Sequence, residues 1–226
     1  MREFFLSSCS IGVWVISAIQ ALIMVLAFRG WTKTKKPLFL LTSLVAFGLF
    51  YDALIISLGN IIHTGALYLP LSRFRFVAHG ALIPLLFPIC AYALDFRKPW
   101  KAIVWVFTGL LIALGVAEGI ATVLESVEVA GVLRCRSAGE TPAWADSVSM
   151  ILSFGTVIPL MVAGIAAWIK QKTPLLFLSG FLMFLFSALG PATGNSDLIF
   201  YISMFGEVGM ALCFLLYARN RGKNRT

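Results

Sequence analysis

Seven apolar runs, near residues 12–28, 38–60, 75–95, 102–121, 148–169, 174–192 and 198–217, take up most of this chain and are parted by short polar connections. About 20 apolar residues is what an α-helix needs to cross a bilayer, because a rise of about 1.5 Å per residue then matches a hydrocarbon core of about 30 Å. Inside that core every backbone N–H and C=O must be bonded within the protein, which leaves helices or a closed barrel. Runs this long and apolar read as helices. The expected fold is therefore an all-α, seven-transmembrane-helix bundle forming a single domain over residues 1–226. With 60% hydrophobic and 12% charged residues, the composition excludes a water-soluble globule, a disordered chain and a coiled coil.

A net charge of +8 would point to nucleic acid in a soluble protein, but here the basic residues fall in clusters between apolar runs, so no nucleic-acid partner is expected. Seven crossings put the two termini on opposite sides. One side collects Arg29, Lys33, Lys35, Lys36, Arg97, Lys98, Lys101, Lys170, Lys172, Arg219, Arg221, Lys223 and Arg225, which is 13 of the 18 basic residues, with Asp95 as its one acid. The other side has Arg2, Arg73, Arg75, Arg134 and Arg136 together with Glu3, Glu125, Glu128, Glu140, Asp146 and Asp197. The positive-inside rule then places the C-terminus in the cytosol and the N-terminus outside. Trp31, Trp100 and Trp168 fall at cytosolic ends of spans and Trp144 at an outer one, as interfacial anchors do. The opening MREFFLSSCS has no small-x-small cleavage pattern, so it reads as part of a retained first helix. The expected location is a multi-pass integral membrane protein, in the endoplasmic reticulum if the chain is fungal.

Residues 122–147 form the longest connection and read as an outer loop over the bundle mouth. Cys9 and Cys135 both map to that side, where either a disulfide or two free thiols is open; Cys90 and Cys213 lie within spans. Pro84, Pro88 and Pro159 are expected to bend their helices. Gly48, Gly59, Gly180 and Gly190 are expected at close helix contacts. No internal repeat is present, which weighs against an inverted-repeat transporter.

Ionisable residues inside spans carry the functional signal, because each costs about 2.5–3.5 kcal/mol at a helix centre by insertion scales. Three acids qualify: Asp52, Glu118 and Glu207. Asp52 lies within AFGLFYDALIISLGN, and helical spacing sets Gly48, Ile55, Ile56, Gly59 and Asn60 near its face. Glu207 lies within LIFYISMFGEVGMALCF near the midplane, with Phe200, Ser203, Met204, Met210 and Phe214 on or near its face and no basic residue at its depth on any predicted helix. Glu118 sits near an outer helix end, where it reaches water. In LPLSRFRFVAHGALIPLL, Arg75 and His79 are four residues apart and share a face. Asp52 either pairs with Arg75 or Arg73, joining the second and third helices, or serves as an acid. Gln20 reads as an interhelical hydrogen-bonding group and His63 as an interfacial loop residue.

A retinal Schiff base requires an intramembrane lysine, and all eight lysines fall in connections or tails. One buried histidine, His79, does not make a metal site, and no nucleotide or serine-hydrolase motif occurs. No metal and no cofactor is expected. Two deep acids among Phe, Tyr and Met suit a different chemistry. A carboxylic acid in apolar surroundings stays protonated and can protonate an epoxide or olefin, and aromatic faces then stabilise the carbocation. A greasy prenylated substrate would enter from the bilayer.

The segments FYDALIISLGN (50–60), LSRFRFVAHGAL (71–82) and FGEVGMAL (205–212), with the chain length and helix count, resemble the compact seven-helix membrane-bound terpene cyclases of fungal meroterpenoid pathways, in particular the ascofuranone- and macrophorin-type group. That resemblance implies a cofactor-independent, acid-initiated cyclisation of a farnesyl-type meroterpenoid precursor in secondary metabolism, an isomerase or lyase reaction. Related indole-diterpene and pyripyropene-type cyclases carry an acid on the second and another on the seventh helix. Asp52 and Glu207 match those helices with Asp and Glu exchanged, and without the tryptophan-rich surroundings. The candidate catalytic residues are Glu207 and Asp52; the candidate substrate-binding residues are His79, Arg75, Tyr51, Asn60, Phe200 and Phe214. The expected partners are the bilayer and a hydrophobic prenylated small molecule. Two non-enzymatic alternatives stand beside this reading: a seven-helix binding or signalling protein, and a small-solute transporter.

Overall fold

The computed structural model describes the backbone of residues 2–62, 66–192 and 199–223, and the side chains of 9–62, 66–189 and 199–221. In chain order the elements are α1 (Arg2–Thr34), α2 (Pro37–Ile62), α3 (Tyr68–Leu82), a 3-10 turn (Ile83–Leu85), α4 (Leu86–Ala93), α5 (Lys98–Ala121), β1 (Leu124–Val129), β2 (Val132–Ser137), α6 (Ala143–Gln171), α7 (Leu175–Ala192) and α8 (Ile199–Lys223). His63 lies outside the described residues.

Three turns at one end of the bundle share a construction. The chain leaves α1, α4 and α6 through Lys35, Asp95 and Lys172, with φ of 55°, 56° and 56°. A left-handed residue stops a helix by turning its next amide back onto the last carbonyls, as when Phe96 N–H, just after Asp95, bonds Ala91 O at 3.0 Å. Pro37, Pro99 and Pro174 follow shortly after each turn, where the missing N–H costs little because a helix start leaves its first donors unpaired. The same end carries most of the basic residues. It is tied together by Tyr217, whose hydroxyl meets Ala93 O at 3.2 Å and Gln171 Oε1 at 2.7 Å, and by Arg221, which pairs with Asp95 and donates to Tyr92 O and Ala93 O at 2.8 Å.

Among the described residues, six helical segments are long and apolar enough to cross a membrane: α1 from Cys9, α2, α3 with α4 (Tyr68–Ala93), α5, α6 and α8 to Arg221. The apolar part of α7, Leu175–Leu189, is shorter. Outward-facing side chains such as Val106, Leu110 and Ile151 are 67%, 66% and 65% exposed, a surface that a soluble monomer would cover. This is the surface of a multi-pass membrane protein. The third span breaks at the 3-10 turn containing Pro84, where a bend is expected, whereas α6 remains helical through Pro159.

Two apolar clusters fill the bundle. The larger joins Leu49, Leu86, Leu160, Leu176, Phe214 and Tyr217 from five helices. The smaller, at the opposite end, joins Cys9, Val13, Ala53, Ile56, Tyr201 and Met204 to Val132 of β2. At Gly80 and Gly115, α3 and α5 approach so closely that a Cβ on either would overlap the other's carbonyl. Gly48 faces the Leu82 side chain and Gly180 faces Met161, as close contacts require; Gly190 lies outside the residues whose packing is described.

The fold is helical as expected, apart from one connection. Part of the connection at 122–147 is a β-hairpin, with β1 and β2 antiparallel in the register Glu125↔Arg136 and Val129↔Val132. Its two-residue turn, Ala130 and Gly131, has φ of 52° and 73°. Positive φ at both central residues gives the turn a twist that matches the flanking strands. The hairpin folds down onto α2. Asn60 donates from Nδ2 to Gly131 O at 2.5 Å and accepts from Leu133 N–H at 2.6 Å, bracketing the turn. A Cβ at Gly59 would overlap the Leu133 carbonyl, so glycine permits the strand to lie this close. All four cysteines are free, including Cys9 and Cys135; the Cys135 thiol faces the Ser126 hydroxyl at 3.7 Å.

Candidate functional site

Asp52 and Arg75 meet between α2 and α3, with Nε and Oδ1 3.2 Å apart. The Arg75 side chain is 6% exposed and also donates from Nη2 to Cys135 O at 2.6 Å, so one guanidinium joins two helices and the hairpin. Arg73, the other partner considered for Asp52, instead caps the end of α5 by donating to Ile120 O at 2.9 Å and to Thr122 O. A cation on these last carbonyls answers the negative end of the helix. Glu118, expected to reach water, is 7% exposed and accepts from Thr122 Oγ1 at 3.3 Å.

Glu207 is 8% exposed on α8, and its Oε2 is buried without a hydrogen-bond partner among the described residues. It lines a cavity of about 100 Å³ together with His79, Leu49, Leu86, Met183 and Met210. The wall is almost wholly apolar. Ser153 and Phe154 of α6 and Phe184 and Ser187 of α7 complete it. Phe154 and Phe184 are 52% and 41% exposed, so the mouth opens on the flank of the bundle between α6 and α7. A flank of this kind faces lipid.

Isolation of Glu207 from positive charge is not what the structure has. Arg75 and Arg134 lie within its electrostatic range, along with Asp52. Arg134 arrives from β2, not from a helix. Its guanidinium lies 4.4 Å from the centre of the Phe200 ring, and its Nε is buried without a hydrogen-bond partner among the described residues. Burial, reinforced by the positive charge of Arg75, pulls its pKa down to about 10, which leaves it charged at neutral pH.

Glu207 and His79 thus share one cavity, while Asp52 and Arg75 form an ion pair beside it. The remaining candidates take other places. The Tyr51 hydroxyl donates to Leu71 O at 3.1 Å and its ring meets Phe74 edge-on, holding α2 to α3. Asn60 fastens the hairpin. Phe200 carries Arg134 on its face, and Phe214, 1% exposed, belongs to the core and not to the cavity wall. Gln20, expected to bond between helices, is fully buried, and neither of its side-chain polar atoms is bonded among the described residues. No family model matches the chain, and no curated protein matches it.

The sequence reading missed the α6 and α7 wall and Arg134. Ser153, Phe154, Met183 and Ser187 lie in apolar runs without an ionisable residue beside them to single them out. Arg134 did have a signal: LESVEV and VLRCRS alternate on either side of Ala-Gly, the pattern of a two-residue hairpin.

Proposed function

We propose that this protein is a membrane-bound terpene cyclase of the kind it resembles, with seven spans, the C-terminus in the cytosol and the hairpin outside. The single observation that carries the reading is Glu207, a buried carboxyl with an unpartnered oxygen at the wall of an apolar cavity that opens toward lipid. A protonated Glu207 would donate its proton to the oxygen of a terminal epoxide. The C–O bond breaks, the neighbouring olefin closes on the cation, and a final proton loss restores the acid, so the product is an isomer of the substrate and no cofactor is consumed. His79, on the same wall, is placed to orient the epoxide oxygen. Phe154 and Phe184 offer ring faces to the developing cation.

A cavity of about 100 Å³ is well below the about 300–1,000 Å³ typical of ligand pockets, so a farnesyl chain must widen it. Phe154 and Phe184 at the mouth are the side chains free to swing outward. The same small volume favours a second reading, a non-enzymatic binding protein whose polar network under the hairpin is structural. The experiment that tests the first is cyclisation of a farnesylated phenol epoxide in microsomes at matched protein levels. Glu207→Gln keeps the shape but cannot donate the proton, and its activity is expected to fall about 10²–10⁴-fold. Wild-type turnover by Glu207→Gln removes Glu207 as the acid, and inactivity of the wild type on every prenylated substrate favours the binding protein.

A further inference from the structure

A second cavity, of about 260 Å³, lies at the basic end of the bundle, where the turn from α1 to α2, the turn from α4 to α5 and the end of α8 meet. Its charged lining is Lys36, Asp95, Lys101 and Arg221. Among the basic residues at this end whose side chains are described, Lys36, Lys101 and Arg221 are half-buried and all the others are exposed. The three that are withdrawn from water are the three that face this cavity. Arg221 is already committed, to Asp95 and to the carbonyls of Tyr92 and Ala93 at 2.8 Å. Lys36 and Lys101 have no ion pair among the described residues; the Lys101 ammonium lies 4.8 Å from the centre of the Tyr92 ring. Three cations against one acid leave an excess of two positive charges. Half-buried ammonium groups without a counter-charge are costly, and an oxyanion between them would relieve that cost.

Depth and wall chemistry narrow the class of anion. Trp100, next to Lys101, is 59% exposed and Trp168 at the same end is 46% exposed, and exposed tryptophans of this kind mark the level of lipid headgroups. Pro37 and Leu38 give the cavity an apolar side against which glycerol and the first acyl carbons can lie. α2 begins in this wall, so the positive end of its dipole adds to the lysines. A phosphomonoester carries about −1.5 to −2 near neutral pH and matches the excess charge of the lining, whereas a phosphodiester carries a single charge.

We propose that this cavity is a lipid site in which Lys36 and Lys101 take the phosphomonoester headgroup of phosphatidic acid, beside the braced pair of Asp95 and Arg221. The site lies at the end of the bundle away from the hairpin and is independent of the cyclase reading.

The test uses the full chain, purified in a neutral detergent and titrated with dioleoyl phosphatidic acid or dioleoyl phosphatidylglycerol, with bound lipid read by native mass spectrometry. Phosphatidic acid is expected to bind about fivefold more tightly or better, because its additional charge faces two lysines. Lys36→Gln combined with Lys101→Gln should weaken phosphatidic acid about tenfold and abolish its preference over the diester. Lys33→Gln combined with Lys98→Gln, which removes the same charge from exposed positions at the same end, should leave the preference intact. Equal affinity for the two lipids in the wild type overturns the proposal, as does equal loss in the two double variants, which would assign binding to the general positive charge of this end. Glycerol 3-phosphate in large excess is expected not to displace the lipid; displacement would assign the site to a water-soluble phosphate and overturn the lipid. If the Lys36 and Lys101 double variant does not fold, the single variants Lys36→Gln and Lys101→Gln decide, and full preference in both overturns the site.

Discussion

Replacing Asp52 by alanine removes one half of the ion pair that joins α2, α3 and the hairpin. Among the described residues, Arg75 then keeps the Cys135 carbonyl as its hydrogen-bond partner and the face of the Phe76 ring, its side chain 6% exposed. Breaking a buried pair from one side costs about 3–5 kcal/mol, because the remaining charge stays desolvated. The Asp52 side chain is 20% exposed, and water entering the space it vacates can solvate Arg75 in part, which sets the expected loss near the lower bound, about 3 kcal/mol. In a protein of this size each kcal/mol moves Tm by about 2–4 °C, so the melting temperature should fall by about 6–12 °C. The assay is tryptophan fluorescence during heating in a fixed detergent at a fixed scan rate. Asp52→Leu combined with Arg75→Met replaces the pair by apolar groups and should regain at most about 2 kcal/mol of the loss, because the Cys135 carbonyl left without a donor costs about 1–3 kcal/mol. Asp52→Ala melting together with the wild type would refute the structural role. If Asp52→Asn also folded normally but lost turnover, the acid would be Asp52.

Asn60→Ala should loosen the hairpin by about 1–3 kcal/mol, from two hydrogen bonds of about 0.5–1.5 kcal/mol each, and limited proteolysis should then cut near Ala130 and Gly131 faster than in the wild type. Gly59→Val should displace the hairpin from α2 and give the same proteolytic signature with a larger effect than Asn60→Ala. Gly115→Leu should separate α3 from α5 and abolish stable expression in membranes, whereas Gly109→Leu, at a site with open space around it, should express normally. Cys9 and Cys135, both buried free thiols, should resist maleimide in the folded protein and both react after denaturation, with no mass difference on reduction.

Most of the bundle was legible because apolar length and turn chemistry coincide. Lys35-Lys36-Pro37 and Lys172-Thr173-Pro174 mark helix ends by charge and proline together. The partnership of Asp52 with Arg75 was also open to the sequence, because both fall in the same half of adjacent spans. The hairpin was hidden by its mixed polarity, since Glu125, Glu128, Arg134 and Arg136 suggest a solvated loop although Val132 and Cys135 are 2% and 1% exposed. That concealment explains the misjudged surroundings of Glu207. Counting basic residues on helices at the depth of Glu207 left out Arg75, which reaches its surroundings from α3, and could not count Arg134, which the hairpin lowers into the bundle from outside the helices. Phe214 failed for another reason: a spacing of seven residues from Glu207, two turns, fixes a helix face, and one face of α8 meets the cavity at Met210 and solid core a turn later.

The flank opening between Phe154 and Phe184 changes what concentration means for this protein. A ligand that approaches through it is counted per lipid molecule and not per litre, so its occupancy follows mole fraction in the bilayer. Adding empty vesicles at constant total ligand would dilute it in two dimensions and lower occupancy, although the bulk concentration had not changed. Titrations in micelles and in vesicles should therefore disagree when plotted against molarity and converge when plotted against the ligand-to-lipid ratio.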